Sequence, residues 1–182
     1  NFLCHYFKIV EDKIEIRPIK IAEEKIRAAV VSPENDLQKK YPQFDFIALA
    51  AGRLEPEKNF SLMINAWREV IKKSPRAGLI IVGSGSLEKN LKRKAKSEKL
   101  EENIIFEQWK GDLIPYYKTA DIFLNTSFYE GYGMSLAEAK AAGLSIISTD
   151  VGVAKELGGQ IGSFDNQDLV AKILEKIKTK SI

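Results

Sequence analysis

From residue 45 onward, short runs of consecutive apolar residues alternate with longer stretches in which apolar residues recur every three or four positions. A run with no polar face reads as a strand buried on both sides, and a three-to-four period reads as a helix with one buried face. The pattern predicts strands at 46–51, 79–82, 103–108, 121–126 and 144–148. Between and after them it predicts helices at 59–73, 87–99, 112–119, 133–142 and 166–178. The helix at 59–73 carries Leu62, Met63, Ala66, Trp67, Val70 and Ile71 on one face and ends at Ser74-Pro75. Gly143 stands where a helix C-terminal glycine is expected. Buried strands joined by helices mean an α/β, doubly wound, parallel sheet of the Rossmann-like kind, with right-handed crossovers. Ligands of such sheets bind beyond the carboxyl ends of the strands. The loops to watch are therefore 52–58, 83–86, 109–112, 126–135 and 149–154.

Residues 1–44 break this rhythm. Lys13 to Ile21 alternates like an edge strand around Ile14 and Ile16, with Pro18 limiting its pairing, and 23–31 reads as a short helix. The segment is taken as a lead-in joined to a domain of residues 45–182.

Length and composition narrow the class. At 182 residues, 45% hydrophobic and 29% charged, the chain suits one globular domain whose core needs no staple. The lone Cys4 can form no internal disulfide, which is compatible with a reducing, cytoplasmic setting. The apolar runs are too short to span a bilayer, and residues 1–10 lack the basic start and small-residue cleavage site of a signal peptide. The net charge of +3 is concentrated in 89–99 and 172–180. Glu88, Glu98, Glu101 and Glu102 interleave the first of these, which favours a solvated helix face. Peripheral contact with an anionic membrane, at its inner face, is the alternative. No aromatic residues punctuate the basic run, so nucleic acid is not expected as a partner.

Three loops could carry chemistry. The first is Gly52-Arg53-Leu54-Glu55-Pro56-Glu57-Lys58-Asn59, where two cations flank a helix start and could hold a phosphate together with its amide dipoles. The competing reading pairs Arg53 and Lys58 with Glu55 and Glu57 on the surface. The second is Gly83-Ser84-Gly85, which lacks the third glycine of a dinucleotide fingerprint and the spacing and lysine of a P-loop. It reads as a strand-to-helix turn that lets a ligand approach closely. The third is Phe128 to Glu138, in which seven residues separate Glu130 from Glu138. Glu130 falls in the loop and Glu138 about one turn into the helix, with Gly131, Gly133 and free amides between. That layout offers hydroxyl acceptors at both ends and anion donors in the middle. It matches the polarity of a sugar joined through a diphosphate to a ribose. The competing reading gives Glu138 a salt bridge to Lys140 or Lys155 and leaves Glu130 in solvent.

In order along 45–179, these segments resemble the glycosyltransferase group-1 family, whose retaining enzymes have the two-domain GT-B fold and an E-x7-E motif. Gly52-Arg53-Leu54 with Lys58-Asn59 is similar to the family's G-R-L-x-x-x-K-N/G segment. Leu79 to Gly85 looks like its strand followed by Gly-x-Gly, and Ala120 to Leu124 resembles the strand before the motif. Glu130 to Gly133 with Glu138-Ala139 resembles the motif itself, and Gly143 to Ile147 with Asp150-Val151-Gly152 the next strand and loop. The resemblance implies a donor-binding domain for a nucleoside diphosphate sugar. Arg53 and Lys58 would neutralise the leaving diphosphate, and Glu130 would hold the transferred hexose. The amides of Gly131, Tyr132, Gly133, Met134 and Ser135 would line sugar and phosphate, and Glu138 would accept from the ribose. Trp109 and Lys110 would lie near the base, with Gly83, Ser84 and Gly85 close by and Gly52 at the turn. No cofactor and no metal are expected, since basic residues and helix dipoles stabilise such a leaving group; His5, the only histidine, has no second imidazole to share a metal.

A complete enzyme of this family would add an N-terminal acceptor domain, for which 182 residues leave no room. The stretch 155–164 is shorter than the family's, and its final helix is missing. The expectation is therefore a donor-binding portion, inactive alone, of an enzyme in glycan, lipid or polysaccharide synthesis, mannosyl transfer included. Sugar epimerases and glucan phosphorylases are the nearest enzymatic alternatives, and Lys58 is not an obvious pyridoxal lysine. A non-catalytic nucleotide- or carbohydrate-binding module is the alternative from another class, and loss of Arg53, Lys58, Glu130 or Glu138 would be its mark.

Overall fold

The computed structural model describes residues 8, 10 and 19–180. Six parallel strands form one sheet: β1 (Phe46–Ala51), β2 (Ala77–Val82), β3 (Ile104–Glu107), β4 (Ile122–Asn125), β5 (Ser145–Thr149) and β6 (Gln160–Gly162), in the spatial order β3-β2-β1-β4-β5-β6. Seven α-helices are described: α1 (Glu23–Ala28), α2 (Leu37–Lys40), α3 (Phe60–Lys73), α4 (Glu88–Ser97), α5 (Ile114–Thr119), α6 (Met134–Ala141) and α7 (Asn166–Lys180).

Alternate residues of each strand feed two cores, as the two-residue period of a strand requires. Phe46, Ala48 and Ala50 of β1 and Leu79 and Ile81 of β2 pack with Trp67 and Val70 of α3, Leu91 and Ala95 of α4, and Leu169 and Ile173 of α7. Ile47 and Leu49, with Ile80 and Val82, face the opposite way. They meet Tyr116 and Tyr117 of α5, Leu136 and Ala139 of α6, and Leu37 of α2. The sheet is thus covered on both faces, and its central strands are apolar throughout for that reason. The α/β, doubly wound expectation holds.

The strand order matters more for function. After β3 the chain returns to the other side of β1, so β1 and β4 are neighbours whose following loops diverge. A crevice opens at this switch point.

Four local differences from the sequence reading stand out. β6 was not expected, because Ile161 is its only aliphatic residue and the glycines around it read as loop. The helix at 59–73 begins at Phe60, after a 3₁₀ turn at Pro56–Lys58 and a left-handed Asn59. The lead-in contributes Leu37 and Phe44 to the second core, with Asp36 capping α2 through the Gln38 and Lys39 amides. Of the expected edge strand, residues 13–18 lie outside the described residues and 19–21 are not strand. Cys4 and His5 also lie outside the described residues.

Candidate functional site

The switch-point loops are stitched together by backbone and side chain. The Thr126 hydroxyl donates to Asn59 O at 2.9 Å, and the Phe128 amide donates to Glu57 O at 2.8 Å. These bonds hold the loop after β1 against the loop after β4. They bring together two residues that lie 72 positions apart: the Lys58 ammonium donates to Glu130 Oε1 at 2.6 Å. The pair is largely enclosed, with side chains 18% and 12% exposed.

Glu130 is held from a second side. The Ser127 hydroxyl lies 2.8 Å from Glu130 Oε1 and 2.6 Å from Asn125 Oδ1, and Asn125 also accepts from the Ser127 amide. Thr149 at the end of β5 donates its hydroxyl to Ser127 O at 2.6 Å. Buried polar groups at a strand end need such partners, and Asn125, Ser127 and Thr149 supply them to one another. Glu130 Oε2 has no hydrogen-bond partner among the described residues, so one oxygen is fixed while the other can accept.

Beyond Glu130 the chain turns through Gly133, φ 92°, into α6. Gly131 is exposed, Tyr132 half-buried and Gly133 buried. Glu138 lies in the second turn of α6, where it accepts from the Tyr117 hydroxyl at 3.1 Å through Oε2. Burial pushes the Tyr117 phenol well above its ordinary range, and the adjacent Glu138 carboxylate pushes it further. Tyr117 therefore stays a donor. Neither suggested salt bridge of Glu138 forms: Lys155 pairs with Asp150 instead.

The crevice has a volume of about 1040 Å³. The structure brings Gly52, Arg53, Lys58, Ser84, Trp109, Lys110, Glu130, Tyr132, Gly133, Met134, Ser135 and Glu138 to its wall. Gly83, Gly85 and Gly131 are not on that wall. The first two serve close backbone approach: a Cβ on Gly83 would lie 1.9 Å from Gly52 O, and one on Gly85 2.6 Å from Leu54 O. Hence Gly52 and Leu54 can hydrogen-bond back to Val82 O and Ser84 O. Arg53 differs from Lys58. It is 75% exposed and pairs with Glu57 at 2.9 Å, as the surface reading of that loop supposed. Glu55 pairs with neither cation and accepts instead from the Ser86 amide and hydroxyl.

Several residues of the site were not singled out from the sequence. Lys20, Ile21, Ala22, Lys25 and Ile26 line the crevice from the lead-in, as do Leu113, Ile114 and Tyr117. Ser127 and Asn125 position Glu130. Glu107, at the end of β3, anchors the loop that carries Trp109, which is 56% exposed. Its carboxylate accepts from Tyr41 at 2.5 Å, Tyr116 at 2.6 Å and Lys40 at 2.7 Å, with Lys110 at 3.4 Å. Burial alone would raise its pKa. The hydrogen bonds from Lys40, Tyr116 and Tyr41 outweigh that and hold it down at about 2, while the Tyr116 phenol, buried beside it, is pushed up to about 12. A carboxylate flanked by hydroxyls at such sequence distances leaves no local signal.

Among the described residues, no group of three His, Cys, Asp or Glu side chains is placed to hold a metal ion. Nor is any helix among them long and apolar enough to cross a membrane.

The sequence and fold have recognisable relatives. Residues 32–177 match the family described as glycosyl transferases group 1. An uncharacterized glycosyltransferase of Haemophilus influenzae is 36% identical over 100 residues, which are 55% of this chain and 28% of that protein. The pneumococcal O-GlcNAc transferase GtfA, solved in complex with UDP and GlcNAc, is 30% identical with a TM-score of 0.57, over 60% of this chain and 22% of that one. The C-terminal domain of a glycosyl transferase group 1 family protein from Francisella tularensis superposes with a TM-score of 0.75 at 23% identity, covering 87% of this chain and 88% of that one. The chain spans about a third of the length of the curated relatives it matches.

Proposed function

The chain belongs to the glycosyl transferases group 1 family, and from that membership we propose that its crevice binds a nucleoside diphosphate sugar whose hexose is passed, with retention, to an acceptor hydroxyl. The observation that carries this reading is the Lys58–Glu130 pair at the mouth of α6, with Glu138 one helical turn beyond on the same crevice wall. Glu130 Oε2 accepts a hydroxyl of the sugar. The amides at the start of α6 and the cations Lys58 and Arg53 meet the diphosphate, whose charge grows as the sugar leaves. Arg53 reaches it by giving up an exposed contact with Glu57, which costs little in water. Glu138 accepts from the ribose through Oε1, while Tyr117 holds Oε2. Trp109 stacks on or beside the base. The UDP bound in the pneumococcal relative supports this assignment of ligand class. No metal enters the reaction in this scheme.

Acceptor recognition is assigned to a domain outside these 182 residues, because the match covers only about a third of the relatives' own length. The 182 residues alone then transfer no sugar. The setting we propose is cytoplasmic, at the inner face of a membrane. Lys89, Lys92, Arg93 and Lys96 share one exposed face of α4, where Lys92 pairs with Glu88 and Arg93 with Asn90 through solvent-exposed contacts that anionic lipid can replace.

Titration of the purified chain with UDP, GDP and their glucose, galactose, N-acetylglucosamine and mannose conjugates tests the reading. Saturable binding of one nucleotude series is expected. No saturable binding of either nucleotide up to millimolar concentration would sink it.

A further inference from the structure

The crevice carries more positive charge than its own carboxylates neutralise. Five cations line it (Lys20, Lys25, Arg53, Lys58 and Lys110) against the carboxylates Asp112, Glu130 and Glu138. Three of the cations have partners: Arg53 has Glu57 at 2.9 Å, Lys58 has Glu130 at 2.6 Å, and Lys110 has Glu107 at 3.4 Å. Asp112 is turned to its own loop, accepting from the Ile114 amide at 2.9 Å, and Glu138 accepts from Tyr117. Lys20 and Lys25 have no carboxylate within ion-pair distance among the described residues.

These two lysines sit on a wall with fixed anchors. Ile26, on α1 itself, is buried. Lys118 closes the C-terminal end of α1, donating to Arg27 O and to Ala29 O at 2.6 Å each. Ile21, Ala22 and Ile26 line the crevice together with the lysines, as do Leu113 and Ile114. Both lysines are exposed, so an incoming phosphate reaches them without displacing a buried contact. Two lysines are point charges with rotatable donors, suited to a phosphate with its several acceptor oxygens.

We propose that Lys20 and Lys25 together hold a phosphate group of the ligand that occupies the crevice. The proposal rests on the donor-binding reading for which ligand that is, but not for the anion chemistry. The phosphate has two possible sources: the diphosphate of a nucleotide, or a phosphate on the molecule that receives the sugar.

The test compares the wild-type chain with Lys20→Ala/Lys25→Ala by isothermal titration, using UDP, GDP, pyrophosphate and glycerol 3-phosphate. Lys72→Ala/Lys73→Ala, at exposed positions at the C-terminal end of α3, removes the same charge elsewhere. Circular dichroism checks that each variant is folded. Affinity for at least one phosphate ligand should fall about tenfold in the first variant and stay unchanged in the second. A loss for a nucleoside diphosphate places the lysines on the donor. An unchanged nucleotide affinity with a loss for glycerol 3-phosphate in the UDP-saturated protein places them on the acceptor side. If pyrophosphate binds and is lost with the lysines while neither nucleotide binds, the anion site stands and the donor reading falls. If the lysine variant binds every phosphate as the wild type does, or if the wild type binds none, the proposal is overturned.

Discussion

Glu130 and Glu138 stand at the two ends of one loop and helix, and they are held in opposite ways. Around Glu130 one oxygen is locked by a cation and a hydroxyl, and the support reaches back through Ser127 to Asn125 and Thr149. Around Glu138 there is one neutral donor, Tyr117, on a half-buried helix position. The first end is an assembled ion pair that must be tightly placed to exist at all, since enclosed charges are costly when unmatched. The second is a carboxylate that water can still reach. On the proposed reading, the difference suits a reacting sugar at one end, where position decides rate, and a ribose at the other, where it only adds affinity.

The comparison breaks most visibly at Lys58. Lys58→Ala leaves Glu130 enclosed without its cation and should cost about 3 kcal/mol in urea unfolding. Lys58→Met with Glu130→Gln should recover most of that stability and none of the nucleotide-sugar affinity, because matched neutral groups remove the electrostatic conflict but not the chemical need. Arg53→Ala, which removes only an exposed contact, should change stability by less than about 0.5 kcal/mol. Equal losses from Lys58→Ala and Arg53→Ala would erase the distinction drawn between them.

A backbone change tests the Glu130 end without touching its charges. Gly152 has φ 52°, and a Cβ there would lie 2.3 Å from Tyr132 O. The next amide, that of Val153, donates to the same oxygen at 2.9 Å. Gly152→Ala should therefore cost about 2 kcal/mol and weaken sugar-nucleotide binding by pushing the Glu130 loop aside. Gly131→Ala, where a Cβ would meet nothing within 4 Å, should be close to neutral in stability. Thermal unfolding of the two variants side by side checks this.

Glu107 offers a third carboxylate to set beside the other two. Its folded pKa, about 2, lies below the ordinary carboxylate value of 4.5. A depressed carboxylate contributes stability that is fully present above its unfolded pKa and is lost as pH falls through the folded one. Acid titration of the wild type should thus show a loss of stability between about pH 4.5 and pH 2 that Glu107→Gln largely lacks. The same variant should be less stable at neutral pH. A parallel acid limb in both proteins would mean that Lys40, Tyr41 and Tyr116 do not act on Glu107 as their distances imply.

Much of this was legible in the sequence, for reasons that differ by element. β1 and β2 are unbroken apolar runs because both sheet faces are covered, and such runs are hard to mistake. The loops that line the crevice followed from the strand ends. What could not be read is what depends on distant pairing. Arg53 and Lys58 are equivalent as residue types in a short loop, and only the fold shows that one faces Glu130 and the other Glu57. The hydroxyls behind Glu130 come from the loop after β4 and the end of β5 and carry no periodic signal. α1 is short, and nothing in its own pattern indicates that Lys118, about ninety residues later, would cap it against the crevice.

At the open end the expected effect on stability is again small. Tyr117→Phe removes the single donor to Glu138 and leaves no buried polar group of its own, while the half-buried carboxylate is rehydrated. The expected stability loss is about 1 kcal/mol or less. The more telling readout is discrimination. If Tyr117 holds Oε2 so that Oε1 faces the ribose, the variant should bind UDP about threefold more weakly. Its affinity for an analogue lacking the ribose hydroxyls should be unchanged, so that the ratio between the two shrinks. Glu138→Gln should shrink the same ratio further. If both variants lowered the two affinities in parallel, Glu138 would be acting on the shape of α6 and not on the ribose, and the two ends of the loop would differ in degree of enclosure alone.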